Sequence, residues 1–170
     1  MVQKIDGSDI SLEGQRVAIV VSSYNNHITD ALSKAAVATL KEAGVKDQDI
    51  FIATVPGAWE LSLAAKRLAD TVSFAGIICL GAVIKGDTTH DQHINRAVSM
   101  NLSELAIDYD LPIGFGLLTC NTVEQALQRA GGSVGNKGEE AAGAVIQMVR
   151  FNLAVEQQFA IELAASDPTP

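Results

Sequence analysis

The residues best able to do chemistry cluster in Gly81-Ala82-Val83-Ile84-Lys85-Gly86-Asp87-Thr88-Thr89-His90, where two glycines, a cation, two hydroxyls and an imidazole follow an apolar run. Imidazole changes charge most readily near neutral pH. Hydroxyls beside the unpaired N–H groups of a helix start suit an anion. The combination predicts a phosphate seat next to a proton shuttle. Taken singly, each residue has a plainer reading, with Thr88 or Thr89 as a helix cap and His90 as a solvated first-turn residue. A cap, however, has no need of a cation, two glycines and a histidine together. Lys85 offers a rival chemistry, Schiff-base formation, which requires a buried amine with a depressed pKa. Asp87, His90 and His93 supply three metal-ligating side chains with no fourth in view, so no metal is expected.

The run Ala75-Gly76-Ile77-Ile78-Cys79-Leu80 is short, apolar and branched, as in a strand buried on both faces. After it, Ala97, Val98, Leu102, Leu105, Ala106 and Tyr109 fall at helical spacing from Ile94 onward. Gly86 to His90 therefore lies between the carboxyl end of a strand and the start of a helix, where open α/β sheets bind ligands. The same alternation repeats along the chain. Arg16 to Val21 predicts a strand and Ile28 to Ala43 a helix ended by Gly44. Ile50 to Val55 predicts a second strand, closed by Pro56-Gly57, and Ala58-Trp59-Glu60 opens a short helix. Pro112 to Thr119 predicts a fourth strand, burying Phe115 on the simplest reading. Thr122 caps a short helix that ends near Arg129, where a cation suits the helix dipole. Gly131 to Gly138 is a glycine-rich turn too irregular for a nucleotide fingerprint, and a long helix runs from Glu139 to a stop at Pro168. Residues 1–15 predict an arm or edge strand able to add to a neighbouring subunit, 16–158 one domain, and 159–170 a tail.

Strands alternating with helices predict a flavodoxin-like three-layer α/β/α sandwich around a four-stranded parallel sheet. In it Tyr24, Trp59 and His90 follow three different strands and meet on one edge. At 170 residues and 48% hydrophobic content the chain can bury one good-sized core. A net charge of -8 argues against nucleic acid or an anionic membrane as partner. Cys79 and Cys120 read as reduced structural thiols, with a nucleophilic Cys120 as the lesser alternative. No apolar stretch reaches membrane-spanning length and no leader is evident, which places the protein in the cytoplasm.

The stretches Tyr24-Asn25, Ile28-Thr29, Val55-Pro56-Gly57-Ala58-Trp59-Glu60-Leu61, Gly81 to His90, Phe115 to Thr119, Glu124-Gln125-Ala126, Arg129-Ala130-Gly131, Gly135 to Gly138 and Met148 together resemble the lumazine synthase family, in order and spacing, over roughly residues 14 to 150. The resemblance implies condensation of 5-amino-6-(D-ribitylamino)uracil with 3,4-dihydroxy-2-butanone 4-phosphate, releasing phosphate and water, with no cofactor. It further implies that Tyr24 stacks on the pyrimidine and that Ala58, Trp59, Glu60, Ala82, Val83 and Ile84 line the pyrimidine and ribityl pocket. By the same carry-over, Phe115 comes from an adjacent subunit, Asp87, Thr88 and Arg129 hold the phosphate, and His90 transfers protons. The implied assembly is a homo-oligomer of pentamers, closed into a 60-subunit icosahedral shell because the Gly131 to Gly138 connection is short, with riboflavin synthase as a partner protein. Tyr24 stands where the family usually has Phe or Trp, Lys85 stands for a common arginine, and Asp91-Gln92-His93 replace an aromatic-acid-aromatic run. Those departures motivate one rival reading, a non-catalytic flavin-binding shell.

Overall fold

The computed structural model describes residues 2–165. Four strands form one parallel sheet in the order β2-β1-β3-β4. They are β1 (Val17–Ser22), β2 (Ile50–Val55), β3 (Gly76–Ile84) and β4 (Ile113–Cys120). Helices α1 (Asn26–Glu42), α2 (Leu61–Ala69) and α3 (His90–Asp108) make the crossovers. After β4 come α4 (Val123–Gln128), a small antiparallel pair β5 (Ala130–Gly132) and β6 (Gly135–Asn136), and α5 (Lys137–Ala165).

Side-chain alternation along the strands builds the three layers. Val17, Ile19 and Val21 of β1, with Ile78, Leu80 and Ala82 of β3, pack against Ile28, Leu32 and Leu40 of α1 and Ala142, Val145 and Val149 of α5. The intervening residues Ala18, Val20, Ile77, Cys79 and Val83 face Leu61 and Ala65 of α2 and Val98, Leu102 and Leu105 of α3. Both central strands are thus buried on both sides, which is why their sequences are continuously apolar. The α1 helix stops at Gly44 (φ 96°). There the N–H of Val45 reaches the carbonyl of Leu40 and that of Gly44 the carbonyl of Lys41, a Schellman closure.

Several expectations need correcting. β3 does not end at Leu80 but continues through Gly81-Ala82-Val83-Ile84, so Gly81 is a packing glycine inside a strand. A Cβ there would lie 2.8 Å from Leu117 Cδ1 and 3.2 Å from Leu61 Cδ1. α3 starts at His90, four residues earlier than its apolar spacing suggested. The Gly131 to Gly138 turn contains the β5–β6 pair. The amino-terminal arm forms no strand among its described residues. It returns along its own chain, where Leu12 is buried in the core and Arg150 Nε donates to the Ile10 carbonyl at 3.0 Å. α5 extends to Ala165, while Pro168 lies outside the described residues.

Cys79 sits at the centre of the sheet, and burial pushes its thiol from 9.0 up to about 12. In neutral solution the thiol is protonated folded or unfolded, so stability does not depend on it, but as pH rises from the unfolded value of 9.0 towards 12 only the unfolded chain ionises and stability declines. We expect a thiol reagent at neutral pH to leave Cys79 unmodified in native protein and to label it on unfolding. Half-buried Cys120 serves as the internal comparison. Mass spectrometry of the labelled peptides checks this.

Candidate functional site

Three loops leave the carboxyl edge of the sheet side by side, and backbone pairing fixes where each one turns. After β1 the chain still follows β2, with Ser23 N–H on the Val55 carbonyl (2.8 Å) and Tyr24 N–H on the Pro56 carbonyl (3.0 Å). It then reverses at Asn25, which is left-handed at φ 60°, a conformation asparagine tolerates better than most residues. The Asn25 side-chain amide donates to the Ala82 carbonyl at 3.0 Å and ties this loop to the end of β3. After β2, Pro56-Gly57 leads into a 3-10 turn, Ala58–Glu60. Glu60 Oε2 accepts from Gly57 N–H at 2.9 Å and holds that turn.

Between these loops lies a cup of about 150 Å³ lined by Tyr24, Asn25, Gly57, Ala58, Trp59, Ala82, Val83, Ile84, His90 and Ile94. Most of the expected pocket residues therefore converge. Glu60 does not line the cup, because its carboxylate is turned back onto Gly57. Asn25, Gly57 and Ile94 were missed by sequence reasoning. An asparagine between a strand and a helix was the available signal for the first, the Pro56-Gly57 strand stop for the second, and one helical turn beyond His90 for the third. The cup falls well short of the roughly 300–1,000 Å³ of a typical small-molecule site. Its two aromatic walls are also largely uncovered, Tyr24 at 72% and Trp59 at 58% exposure. Larger cavities of about 490 and 620 Å³ lie at the opposite edge of the sheet, around Asp110-Leu111-Pro112 and Asn152, away from every residue with candidate chemistry.

On the rim, Lys85 N–H pairs with the Cys120 carbonyl at 2.8 Å as the last rung of the sheet. The Lys85 side chain is exposed, which removes the burial a Schiff-base role would need. From Gly86 to Thr89 no backbone or side-chain acceptor among the described residues takes the main-chain N–H groups. The first turn of α3 follows directly. Successive free amides running into the positive end of a 19-residue helix are donors of the kind that suit an anion. Thr88 Oγ1 lies 2.5 Å from His90 Nδ1 and leaves Nε2 as the free ring nitrogen. No cluster of three His, Cys, Asp or Glu side chains able to hold a metal occurs among the described residues.

Two further expected residues, Phe115 and Arg129, do not line the cup either. Phe115 stands in mid-strand on β4, level with Cys79 and three rungs short of Leu118, the partner of Ala82. It is 40% exposed because β4 is an edge strand. Arg129 caps α4, donates from Nη1 to the Val134 carbonyl (3.0 Å) and from Nη2 to Glu140 Oε2 (3.2 Å), and pairs with Glu140 Oε1 at 3.1 Å. Lys137 and then Arg129 hold the Glu140 carboxyl below the usual carboxylate range. No acceptor among the described residues takes Arg129 Nε, so the Nε/Nη2 edge of the guanidinium keeps a free two-pronged donor. Cys120 is near enough for this guanidinium to oppose the upward push that burial gives its thiol.

Comparison with known proteins shows the family. Residues 14–152 match the family model described as 6,7-dimethyl-8-ribityllumazine synthase. A protein of Rhodopirellula baltica with the same name is 53% identical over 147 residues, covering 86% of this chain and 95% of that protein. The matched span holds the whole sheet, the three loops of the cup, Phe115 and Arg129, and on this basis the chain belongs to the 6,7-dimethyl-8-ribityllumazine synthase family.

Proposed function

We propose that the cup at the sheet edge is half of an active site that condenses 5-amino-6-(D-ribitylamino)uracil with 3,4-dihydroxy-2-butanone 4-phosphate, and that a second copy of the chain supplies the other half. The observation that carries this reading is the division of residues. Tyr24, Trp59 and His90 surround a small open cup, while Phe115 and the free edge of Arg129 present themselves elsewhere on the same chain.

In this reading Tyr24 stacks on the pyrimidine, and Ala58, Trp59, Ala82, Val83 and Ile84 hold the ring and its ribityl arm, with Glu60 fixing the turn that carries Ala58 and Trp59. Phe115 of an adjoining copy covers the ring. The amides around Asp87 and Thr88 seat the phosphate and Arg129 closes on it with a bidentate fork. The substrate amine attacks the ketone, the carbinolamine loses water to an imine, phosphate is eliminated and the second ring closes. Protons move at each of these steps, and His90, which lines the cup and has Nε2 free, accepts and returns them. Because the substrate brings its own nucleophile, most of the acceleration comes from holding two reactants in register.

His90→Ala should therefore lower kcat by about 10- to 100-fold, at the weak end for a general acid-base residue, with little change in pyrimidine affinity. Lumazine absorbance after mixing the two substrates reads this directly. Total loss of turnover with binding intact would contradict the assignment.

The assembly that follows is a pentamer with shared sites, twelve of which close into a 60-subunit shell in the cytoplasm, with riboflavin synthase as its partner. It is supported by apolar residues left bare on faces remote from the cup, among them Phe51 and Ile52 on edge strand β2 and Met148 and Phe151 on α5. The short β5–β6 connection also favours the shell. Electron microscopy distinguishes hollow particles from single rings.

A further inference from the structure

We propose that the Thr88 hydroxyl makes His90 a base only when phosphate is seated, by switching which ring nitrogen carries the proton. The proposal rests on the reading above, in which Thr88 and the Gly86 to Thr89 amides hold the phosphate. Its basis is the 2.5 Å contact between Thr88 Oγ1 and His90 Nδ1.

A hydroxyl has one proton to donate and two lone pairs with which to accept, and a neutral imidazole has one N–H and one bare nitrogen. With no anion present, Nδ1 is the acceptor the Thr88 proton has among the described residues. Nδ1 is then the bare nitrogen and Nε2, the one the Thr88 contact leaves free on a residue that lines the cup, carries hydrogen. In that state the ring can donate into the cup but cannot take a proton from an attacking amine. A phosphate at the loop changes the partner. Its oxygens are charged acceptors, and a charge-assisted hydrogen bond is roughly twice as strong as a neutral one. The Thr88 proton turns to the phosphate, and the contact with Nδ1 survives only if Nδ1 becomes the donor. The ring proton then resides on Nδ1, and Nε2 presents a lone pair to the cup. The two states differ by one proton exchanged between ring nitrogens through solvent: the Nε2–H bond breaks, an Nδ1–H bond forms, and the net charge is unchanged. Arrival of the phosphorylated substrate thereby sets the protonation pattern that amine attack requires. Exposure of Thr88, Thr89 and His90 leaves room for that exchange.

The test is magic-angle-spinning NMR of protein carrying 15N-histidine, at pH 8.5, above the ordinary imidazole range, with and without inorganic phosphate. Occupancy is followed by 31P signals. The chain has three histidines, and His90→Gln assigns the signals of interest. The expected result is a several-fold rise in the Nδ1–H form of His90 once phosphate is bound. Thr88→Ser, which keeps the hydroxyl, should retain that response, and Thr88→Val at saturating phosphate should lose it while His90→Gln leaves phosphate binding intact. Phosphate that binds without moving the tautomer, or a valine variant that responds like the parent, overturns the coupling and leaves the phosphate seat standing. Failure of phosphate to bind the parent protein overturns both.

Discussion

Arg129→Ala should reduce kcat/KM for the butanone phosphate by about 100-fold, since losing hydrogen bonds to a charged group removes roughly 1.5–3 kcal/mol and each 1.4 kcal/mol is tenfold. The pyrimidine should bind as before. The reason lies in how the guanidinium is held. Val134 and Glu140 take Nη1 and one side of Nη2, which leaves the Nε/Nη2 edge pointing away as a rigid fork. Lysine at 129 keeps the charge but not the fork, so Arg129→Lys should recover only part of the loss. Steady-state rates with each substrate varied in turn separate this from a general defect. An equal fall in apparent affinity for both substrates would contradict a phosphate role.

Gly138→Ala should be strongly destabilising, although alanine is the better helix former. A Cβ at Gly138 would lie 2.0 Å from the Leu32 carbonyl oxygen and 2.9 Å from Leu32 Cα, so it meets the backbone of α1, and no rotamer change relieves the clash. Overpacking of this kind costs about 3 kcal/mol or more when the obstacle cannot move. Gly143, in the same helix, has nothing within 4 Å of its would-be Cβ. Gly143→Ala should therefore stabilise by roughly 0.5–1 kcal/mol, the ordinary helix-propensity gain. Urea denaturation of the two variants, compared with the parent, gives both signs in one experiment. The consequence reaches function, because α5 begins at the residues that hold Glu140 and through it Arg129.

Much of this fold was legible because local and tertiary preferences agree. Ile50 to Val55 was bounded by its own composition and is β2 as expected. Thr122 caps α4, accepting from Gln125 N–H at 3.3 Å. What was not legible depended on neighbours. Gly81 resembles a hinge in sequence, and only the closeness of Leu117 and Leu61 makes it a packing position within β3. Phe115 and Met148 look like core residues by type, yet edge position on β4 and the outer side of α5 leave both exposed. At the site, His90 and Thr88 could be picked out by residue type, but their direct contact could not. Arg129 looked like a helix-end cation. Its partner Glu140 lies across the β5–β6 pair, a pairing that the glycine-rich sequence did not announce.

The division of the site between two chains is tested most directly by mixing. Chains carrying Arg129→Ala and chains carrying Tyr24→Ala with His90→Ala are each expected to form lumazine slowly, as each lacks one half of every site. Dissociated and reassembled together, the two kinds of chain should create sites in which an intact cup meets an intact Arg129. Activity should then rise well above the average of the separate preparations and peak at intermediate ratios. A rate that follows the weighted average at every ratio would mean that one chain holds the whole site, and would contradict the account.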